Sequence, residues 1–360
     1  MDEQIFAIQQ YGGISRLFYE LAKQFITTPN LEVELLPISA PIVNKYVLDN
    51  PDLTSELRVR PAKNSIRALA NYFSHRTDAR GAQIIHNTFY LPHGLTKRKG
   101  AKRVVTIHDM IPELLPKTRR RLDLLTMKRR YVLQADHIIC VSAATRGDLV
   151  RLYPEITAPI SVVHHGVDPV FTPNIPKWSD LPERYILFVG NRDQYKDADI
   201  LMKAFAFISK DFPNTTLLFV GGGAFTSKEN KLMQTLGIAQ QVTQRSLPDA
   251  EMSSAYCNAI FTVFPSRFEG FGLPALESMA SGTATILANA TSLPEVGGDA
   301  ALYFESGNVA DLAEKMLTLY TDENLRTQLG NAGILQAKGF SWAKCAAETA
   351  AVYQSTVNAH

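Results

Sequence analysis

The segment Phe268-Glu269-Gly270-Phe271-Gly272-Leu273-Pro274-Ala275-Leu276-Glu277 carries two carboxylates eight positions apart, on either side of a glycine-rich stretch. An apolar run ends at Phe264, the glycines permit an open loop through Gly272, and Pro274 suits the first turn of a helix that then carries Glu277. Glu269 and Glu277 cannot form one metal-binding pair on a helix face. They can accept hydrogen bonds from hydroxyls on different parts of one long ligand, such as a sugar and a ribose. The amino end of the helix suits an anion. By spacing alone, Glu277 reads equally as a carboxylate stabilised by the helix dipole, and Glu269 as a charge on a surface loop.

A second set supplies cations and glycine loops. Gly190-Asn191-Arg192-Asp193-Gln194-Tyr195-Lys196-Asp197 lies between the apolar run Tyr185–Val189 and the helical pattern Ile200–Ile208. Arg192 and Lys196 are four apart around a helix start and can converge on one anion, the first as a planar fork and the second as a point charge. A surface loop with incidental charges is the competing reading, and the position after a strand favours phosphate. Gly221-Gly222-Gly223 ends another apolar run, where the backbone can approach a nucleotide. Lys228, just beyond, reads as a surface lysine. In the amino-terminal half, Gly12-Gly13 opens a helix whose apolar residues are Ile14, Leu17, Phe18 and Leu21. Its N–H groups and dipole favour an anion, although the pair alone reads as a tight turn. Thr106-Ile107-His108-Asp109 places a polar pair at a strand end, where open parallel sheets bind ligands. Asp109 also reads as a cap for the next segment, and His108 as a ligand contact.

The elements that must position these groups alternate. Apolar runs at Ala82–His86, Arg103–His108, His137–Val141, Ile160–His164, Tyr185–Gly190, Thr215–Gly221, Ala259–Phe264, Thr283–Ala288 and Ala301–Phe304 read as buried strands, separated by turns and helical stretches. Near-continuous apolar strands alternating with helices predict an α/β fold with parallel sheets covered on both faces. Pro169, Pro173, Pro176 and Pro182 mark an extended linker over Asp168–Pro182, which places a domain boundary at about 170. Charge changes sign there: residues 1–170 hold 23 Lys and Arg against 16 Asp and Glu, and residues 171–360 hold 14 against 19, giving +7 and −5 and the net +2.

Composition excludes several classes. At 360 residues, 46% hydrophobic and 20% charged, the chain suits two globular domains. It has no run of about 18 uncharged apolar residues for a membrane span. The start Met1-Asp2-Glu3-Gln4 lacks the basic and apolar regions of a secretory signal. Cys140, Cys257 and Cys345 read as buried free thiols of a reducing compartment. A cytoplasmic location follows as the expectation. Positive charge concentrates in Lys97-Arg98-Lys99 with Lys102-Arg103, and in a run from Lys117 through Arg119, Arg120 and Arg121 to Lys128, Arg129 and Arg130. The second run suits an anionic membrane surface or a pyrophosphate-linked lipid as well as it suits a solvated helix face. Nucleic acid is not among the expected partners.

The ordered motifs resemble glycosyltransferase family 4, retaining enzymes with the GT-B fold, over nearly the whole chain. They are Tyr11-Gly12-Gly13-Ile14-Ser15-Arg16, Thr106–Pro112, Val141-Ser142, His165-Gly166-Val167-Asp168, Val189-Gly190 with Arg192 and Tyr195-Lys196, Glu269–Glu277, Ser281-Gly282-Thr283, and Ser292–Ala301. The resemblance implies two Rossmann-like doubly wound domains facing across a cleft. Residues 1–170 would bind the acceptor and residues 171–340 the nucleotide sugar, with a last helix at about 341–360 packing back on the first domain. Arg192 and Lys196 match the diphosphate-binding pair, Glu269 the carboxylate on donor-sugar hydroxyls, and Glu277 the ribose carboxylate. Phe271, Gly272 and Leu273 would offer backbone N–H groups, Gly13 would approach the diphosphate beside Gly12, and His108 the sugar. Gly222 would line the nucleotide, and Arg245-Ser246-Leu247 would lie against the base. The resemblance implies no cofactor and a metal-independent site, with side-chain cations in the metal's role.

Within the family the pattern is nearest to polysaccharide-assembly enzymes, which points to mannose or a related hexose from a GDP-sugar and a glycan or lipid-linked acceptor. A GT-B epimerase or phosphorylase would need its own signature. A catalytically silent nucleotide-sugar-binding scaffold would not need the charged set. The chain departs from the family in three places. Only Met1–Ala7 precede Ile8–Gly13, so the usual first strand is expected to be missing or very short and the chain to begin late. Asp197 stands where the family often has Asn, and Arg267 where it often has an apolar or aromatic residue.

Overall fold

Parallel strands with apolar side chains on both faces need helices on both faces, and the chain builds two such layers. A computed structural model describes residues 1–29, 31, 32, 42–50, 53, 81–91, 100–115 and 120–359, without the side chains of residues 120–123, 249 and 250. Lys97, Arg98, Lys99, Lys117 and Arg119 lie outside the described residues. The chain divides into two compact units, Met1–Gly166 with Trp342–His360, and Val167–Ser341.

In the first unit, β1 (Ile84–Asn87), β2 (Lys102–Ile107), β3 (His137–Cys140) and β4 (Ile160–Val162) lie in that order, all parallel. Their core includes Val105, Ile107, Ile138, Cys140 and Tyr131, all fully buried. Residues ahead of the glycine pair form no strand. Asp2 instead donates its amide to the His86 carbonyl at 3.1 Å, and Gln4–Ile8 is a short helix. The Asp2 carboxylate is buried and accepts from Asn87 Nδ2, Thr88 N and Thr88 Oγ1. The last helix, Trp342–Asn358, packs in this unit against Gly13–Ile26. His86 binds it through Tyr353 Oη at 2.6 Å and binds β2 through Thr106 Oγ1 at 2.7 Å.

Burial drives the His86 imidazole from 6.5 to about 3, with the chain's amino terminus adding to the effect. Burial, then His164, drives His165 to about 3 as well. Both are neutral in the fold, whereas the unfolded chain takes up their protons near 6.5. Stability from this source is therefore complete above about pH 6.5 and is lost progressively as pH falls toward 3. The denaturant midpoint should already drop between about pH 6.5 and 5, before carboxylates titrate. A flat midpoint across that window would contradict the assignment.

In the second unit, β5 (Tyr185–Val189), β6 (Thr216–Val220), β7 (Val242–Arg245), β8 (Phe261–Phe264), β9 (Thr285–Ala288) and β10 (Leu302–Phe304) form one parallel sheet ordered β10-β9-β8-β5-β6-β7. The order reverses between β5 and β8, so the chain winds outward from that pair in both directions. A crevice at the carboxyl ends of the strands is expected at such a reversal. Strand β7 has no apolar run. Its Val-Thr-Gln-Arg lies at the sheet edge, half-buried to exposed, so burial imposed no signature on it.

Candidate active site

The loops leaving the carboxyl ends of β5 to β9 hold nearly all the second-unit candidates. Beyond β5 the chain makes a one-turn 3-10 helix, Gln194–Lys196, and enters the helix Ala198–Ile208. Beyond β8 it runs through Pro265–Gly272 into the helix Leu273–Ala280, with Gly272 at φ +110° as the cap and Pro274 in the first turn. These loops flank the β5–β8 reversal. There Lys196 Nζ meets Glu269 Oε1 at 2.5 Å, with both side chains more than four-fifths buried. A charged pair at this depth is stronger than one in water, and it leaves one carboxylate oxygen and two ammonium protons for other partners.

The Glu269 loop is pinned from β9. Thr291, in the left-handed region at φ +48°, accepts from Glu269 N at 3.0 Å. Ser292 Oγ lies 3.0 Å from the Glu269 carbonyl and 2.8 Å from the Phe271 carbonyl, to which its hydroxyl can donate. Phe271 turns its ring inward against Phe340, with centroids 5.9 Å apart. Gly272 and Leu273 stand at the helix start, where N–H groups have no intrahelical acceptor, with Phe271 just ahead of them. Glu277 accepts from Tyr256 Oη at 2.9 Å. Burial raises the Tyr256 phenol well above 10, and the Glu277 carboxylate raises it further, so Tyr256 stays a donor.

Arg192 does not join Lys196. Its Nε pairs with Glu229 at 2.6 Å, Nη1 donates to the Gly221 carbonyl at 3.0 Å, and Nη2 donates to the Gly223 and Ala224 carbonyls at 2.9 and 3.0 Å. The guanidinium also lies 4.6 Å from the Phe225 ring centroid, and the side chain is 4% exposed. Three of its five N–H groups thus stitch the glycine loop after β6, and a fourth holds Glu229 on the helix that follows. Gly222 suits this place, since it has φ +71° and a Cβ would come within 2.7 Å of Arg192 Nη1, which would have to shift. The next loop is laced to the same point. Gly221 N donates to the Arg245 carbonyl at 3.0 Å, and Gln244 Nε2 donates to the Gly221 and Arg245 carbonyls. Gly222 and Arg245-Ser246-Leu247 therefore share one edge, and the Arg245 side chain is exposed.

Two residues left outside the predicted site close it. Arg267 Nε pairs with Asp197 Oδ2 at 2.8 Å, its Nη2 donates to the Gln194 carbonyl at 2.9 Å, and its backbone N donates to the Tyr195 carbonyl at 2.8 Å. The sequence signal for both was their departure from the family pattern.

In the first unit, His108 follows β2 and is buried, edge-on to Phe18 at 5.8 Å and tilted to Tyr90 at 6.4 Å. No side chain among the described residues hydrogen-bonds either ring nitrogen. Burial, then repulsion from His165, Lys128 and His86, holds His108 well below 6.5, so the ring is neutral. Phe18 belongs to the helix Gly13–Ile26, which places His108 beside the element that Gly12 and Gly13 open. The amino end of that helix is capped from within, because Ser15 N donates to Gln9 Oε1 at 2.9 Å and the Gln9 amide lies against Gly12.

The basic run is broken up. Lys128 is 2% exposed, pairs with Glu113 at 3.1 Å and donates to the Asp109 carbonyl. It faces inward with Met127 and Tyr131 on the helix Arg120–Leu133 and cannot meet a membrane. Arg129 is exposed but pairs with Glu155 at 2.5 Å, and Arg130 is exposed. Arg120 and Arg121 lie on the same helix, with side chains outside the described set. Among the described residues no helix is long and apolar enough to cross a membrane.

The comparisons agree with this architecture. Residues 174–336 match the model for glycosyl transferases group 1, and residues 11–171 match the model for Glycosyltransferase Family 4. An O-antigen chain mannosyltransferase B of Escherichia coli is 28% identical over 285 residues, 74% of this chain and 72% of the relative. A D-inositol 3-phosphate glycosyltransferase of Arthrobacter sp. (strain FB24) is 30% identical over 286 residues, 73% of this chain and 67% of the relative. The fold matches Anabaena Alr3699/HepE, solved in complex with UDP and glucose, with a TM-score of 0.69 and 16% identity over 96% of this chain and 97% of that one. With both halves matched in order and two parallel sheets of the GT-B type, the chain belongs to the family 4 glycosyltransferases.

Proposed function

We propose that this glycosyltransferase moves a hexose, mannose in the first instance, from a GDP-sugar to a polysaccharide or lipid-linked glycan acceptor, with retention of configuration and without a metal. The observation that carries the reading is the Lys196–Glu269 pair at the β5–β8 reversal. Breaking the bond between the sugar and a nucleoside diphosphate leaves growing negative charge on the β-phosphate, while the sugar becomes electron-poor. Lys196 is fixed beside that position and stabilises the transition state more than the ground state. Glu269 accepts from sugar hydroxyls once the donor parts it from Lys196. Glu277, oriented by Tyr256, suits ribose hydroxyls. The loop amides at Phe271 to Leu273 add donors, and Arg192 acts at one remove, by holding the glycine loop. With the lysine and these amides in the charge-stabilising role, the departing phosphate can take the acceptor's proton on the same face of the sugar. In the first unit, neutral His108 suits a sugar hydroxyl. The name of the Escherichia coli relative supports mannose and an O-antigen-like acceptor.

Purified protein incubated with GDP-mannose, UDP-glucose and dTDP-rhamnose tests the reading without an acceptor, because a transferase leaks donor slowly to water. Release of GDP from GDP-mannose above the other donors, unchanged by EDTA, is the expected result. A retained anomer in the product, read by NMR, supports the same-face route. No hydrolysis and no nucleotide binding would leave a silent scaffold instead.

A further inference from the structure

We propose that Arg267 and Asp197 are one coupled positioning pair, which holds the Lys196 turn and the Glu269 loop in register while the donor separates Lys196 from Glu269. The proposal rests on the donor-site reading above. Its ground is that the two positions where the second unit departs from the family pattern touch each other. Asp197 has φ +50° and ψ +38°, a left-handed conformation in which Asn and Asp are the favoured non-glycine residues. Its carboxylate is 3% exposed and stands at the head of the helix Ala198–Ile208. An amide at such a place needs no counter-ion. A carboxylate does, because an unpaired buried charge is costly. Arg267 supplies it, with Nε 3.0 and 2.8 Å from the two carboxylate oxygens.

The same side chain does more than neutralise. Its Nη2 holds the Gln194 carbonyl and its backbone N holds the Tyr195 carbonyl, so Arg267 grips the turn on both sides of Lys196. Arg267 is two residues ahead of Glu269. The Lys196 turn and the Glu269 loop are thus tied together by contacts that do not involve the Lys196–Glu269 bond itself. A diphosphate drawing Lys196 away, and a sugar drawing Glu269 away, would break that bond and leave the Arg267 ties intact. An Asn paired with an apolar residue offers no ion pair, and each half of the exchange alone is worse than both. Asp197 facing leucine is an uncompensated buried carboxylate, and Arg267 facing Asn is a half-exposed cation without its partner.

The test is a cycle of four proteins: wild type, Arg267→Leu, Asp197→Asn and the double variant, with Arg267→Lys as a milder fifth. Each is assayed for donor hydrolysis and, separately, for thermal midpoint. Arg267→Leu should lower kcat by on the order of tenfold to hundredfold through misplacement of the turn. The loss should persist at low temperature, where circular dichroism shows the variant folded. Asp197→Asn should cost less, and the double variant should recover most of the kcat that Arg267→Leu loses. Additive losses, or an Arg267→Leu variant with wild-type kcat, would overturn the pair. A full kcat for the folded fraction would reduce it to a structural contact and also overturn it. Should Arg267→Leu not fold, Arg267→Lys decides, with a reduced kcat at unchanged midpoint expected and an unchanged kcat overturning the pair. If wild type turns over no donor, the function reading falls separately. The midpoint cycle then decides the coupling, with additive shifts against it.

Discussion

Lys196→Ala lowers donor turnover by about 100- to 1000-fold, the scale of removing one fixed charge-stabilising group from a transition state. The loss falls on kcat, because the leaving phosphate bears more charge at the transition state than in the bound donor. Stability changes less. Glu269 loses its partner, but its main chain keeps its place through Thr291 and Ser292. Steady-state hydrolysis of the preferred donor, alongside a thermal melt, checks both halves. A variant whose kcat stays within a few-fold of wild type would remove Lys196 from the leaving-group position.

Arg192→Ala has the opposite signature, a loss of about 3 kcal/mol of stability. Removing the guanidinium leaves Glu229 with Thr226 alone, takes the side-chain donor from the Gly223 and Ala224 carbonyls, and leaves the Gly221 carbonyl to Gln244 Nε2. Burial acts to raise Glu229, but hydrogen bonds from Thr226 and Arg192 outweigh it and hold the carboxyl below its usual range. The stabilisation is therefore present above the ordinary carboxylate range and fades as pH falls through it. Calorimetry should show the transition of the second unit lowered in Arg192→Ala at neutral pH, with a smaller difference near pH 3. Activity falls too, through the loosened glycine loop, and saturating nucleotide should recover part of it by mass action. A variant that melts like wild type would show that the guanidinium is not holding this loop.

These two residues show what spacing can and cannot reveal. Arg192 and Lys196 look alike in sequence, two cations four apart behind a strand, and the structure gives them different partners. A clue lay further along, where Thr226 and Glu229 have the separation of a helix capping box and form one. That box fixes Glu229 where Arg192 can reach it. The meeting of Lys196 with Glu269 was beyond reach by spacing, since 73 positions separate them and only the strand order brings them together. Lys128 was legible but was read with its neighbours. Its helical spacing from Leu124 and Tyr131 puts it on the inner face, whereas Arg129 and Arg130 fall on the outer one. The buried strands were plain because burial on both faces writes a continuous apolar run, and edge strand β7 was silent because nothing covers it so fully.

The boundary between the units has a consequence for how the chain is made. Val167 bridges Ser341, and its N–H donates to the Phe340 carbonyl at 3.2 Å, so the second unit leaves and rejoins at one paired point. The first unit is split around it and needs Trp342–His360 to be whole, including the Tyr353 hydroxyl that His86 binds. On the ribosome, where domains mature in order of emergence, the sequence of events is inverted. The unit encoded second closes first, and the first unit waits, with a gap in its core, for Trp342–Asn358 to leave the exit tunnel.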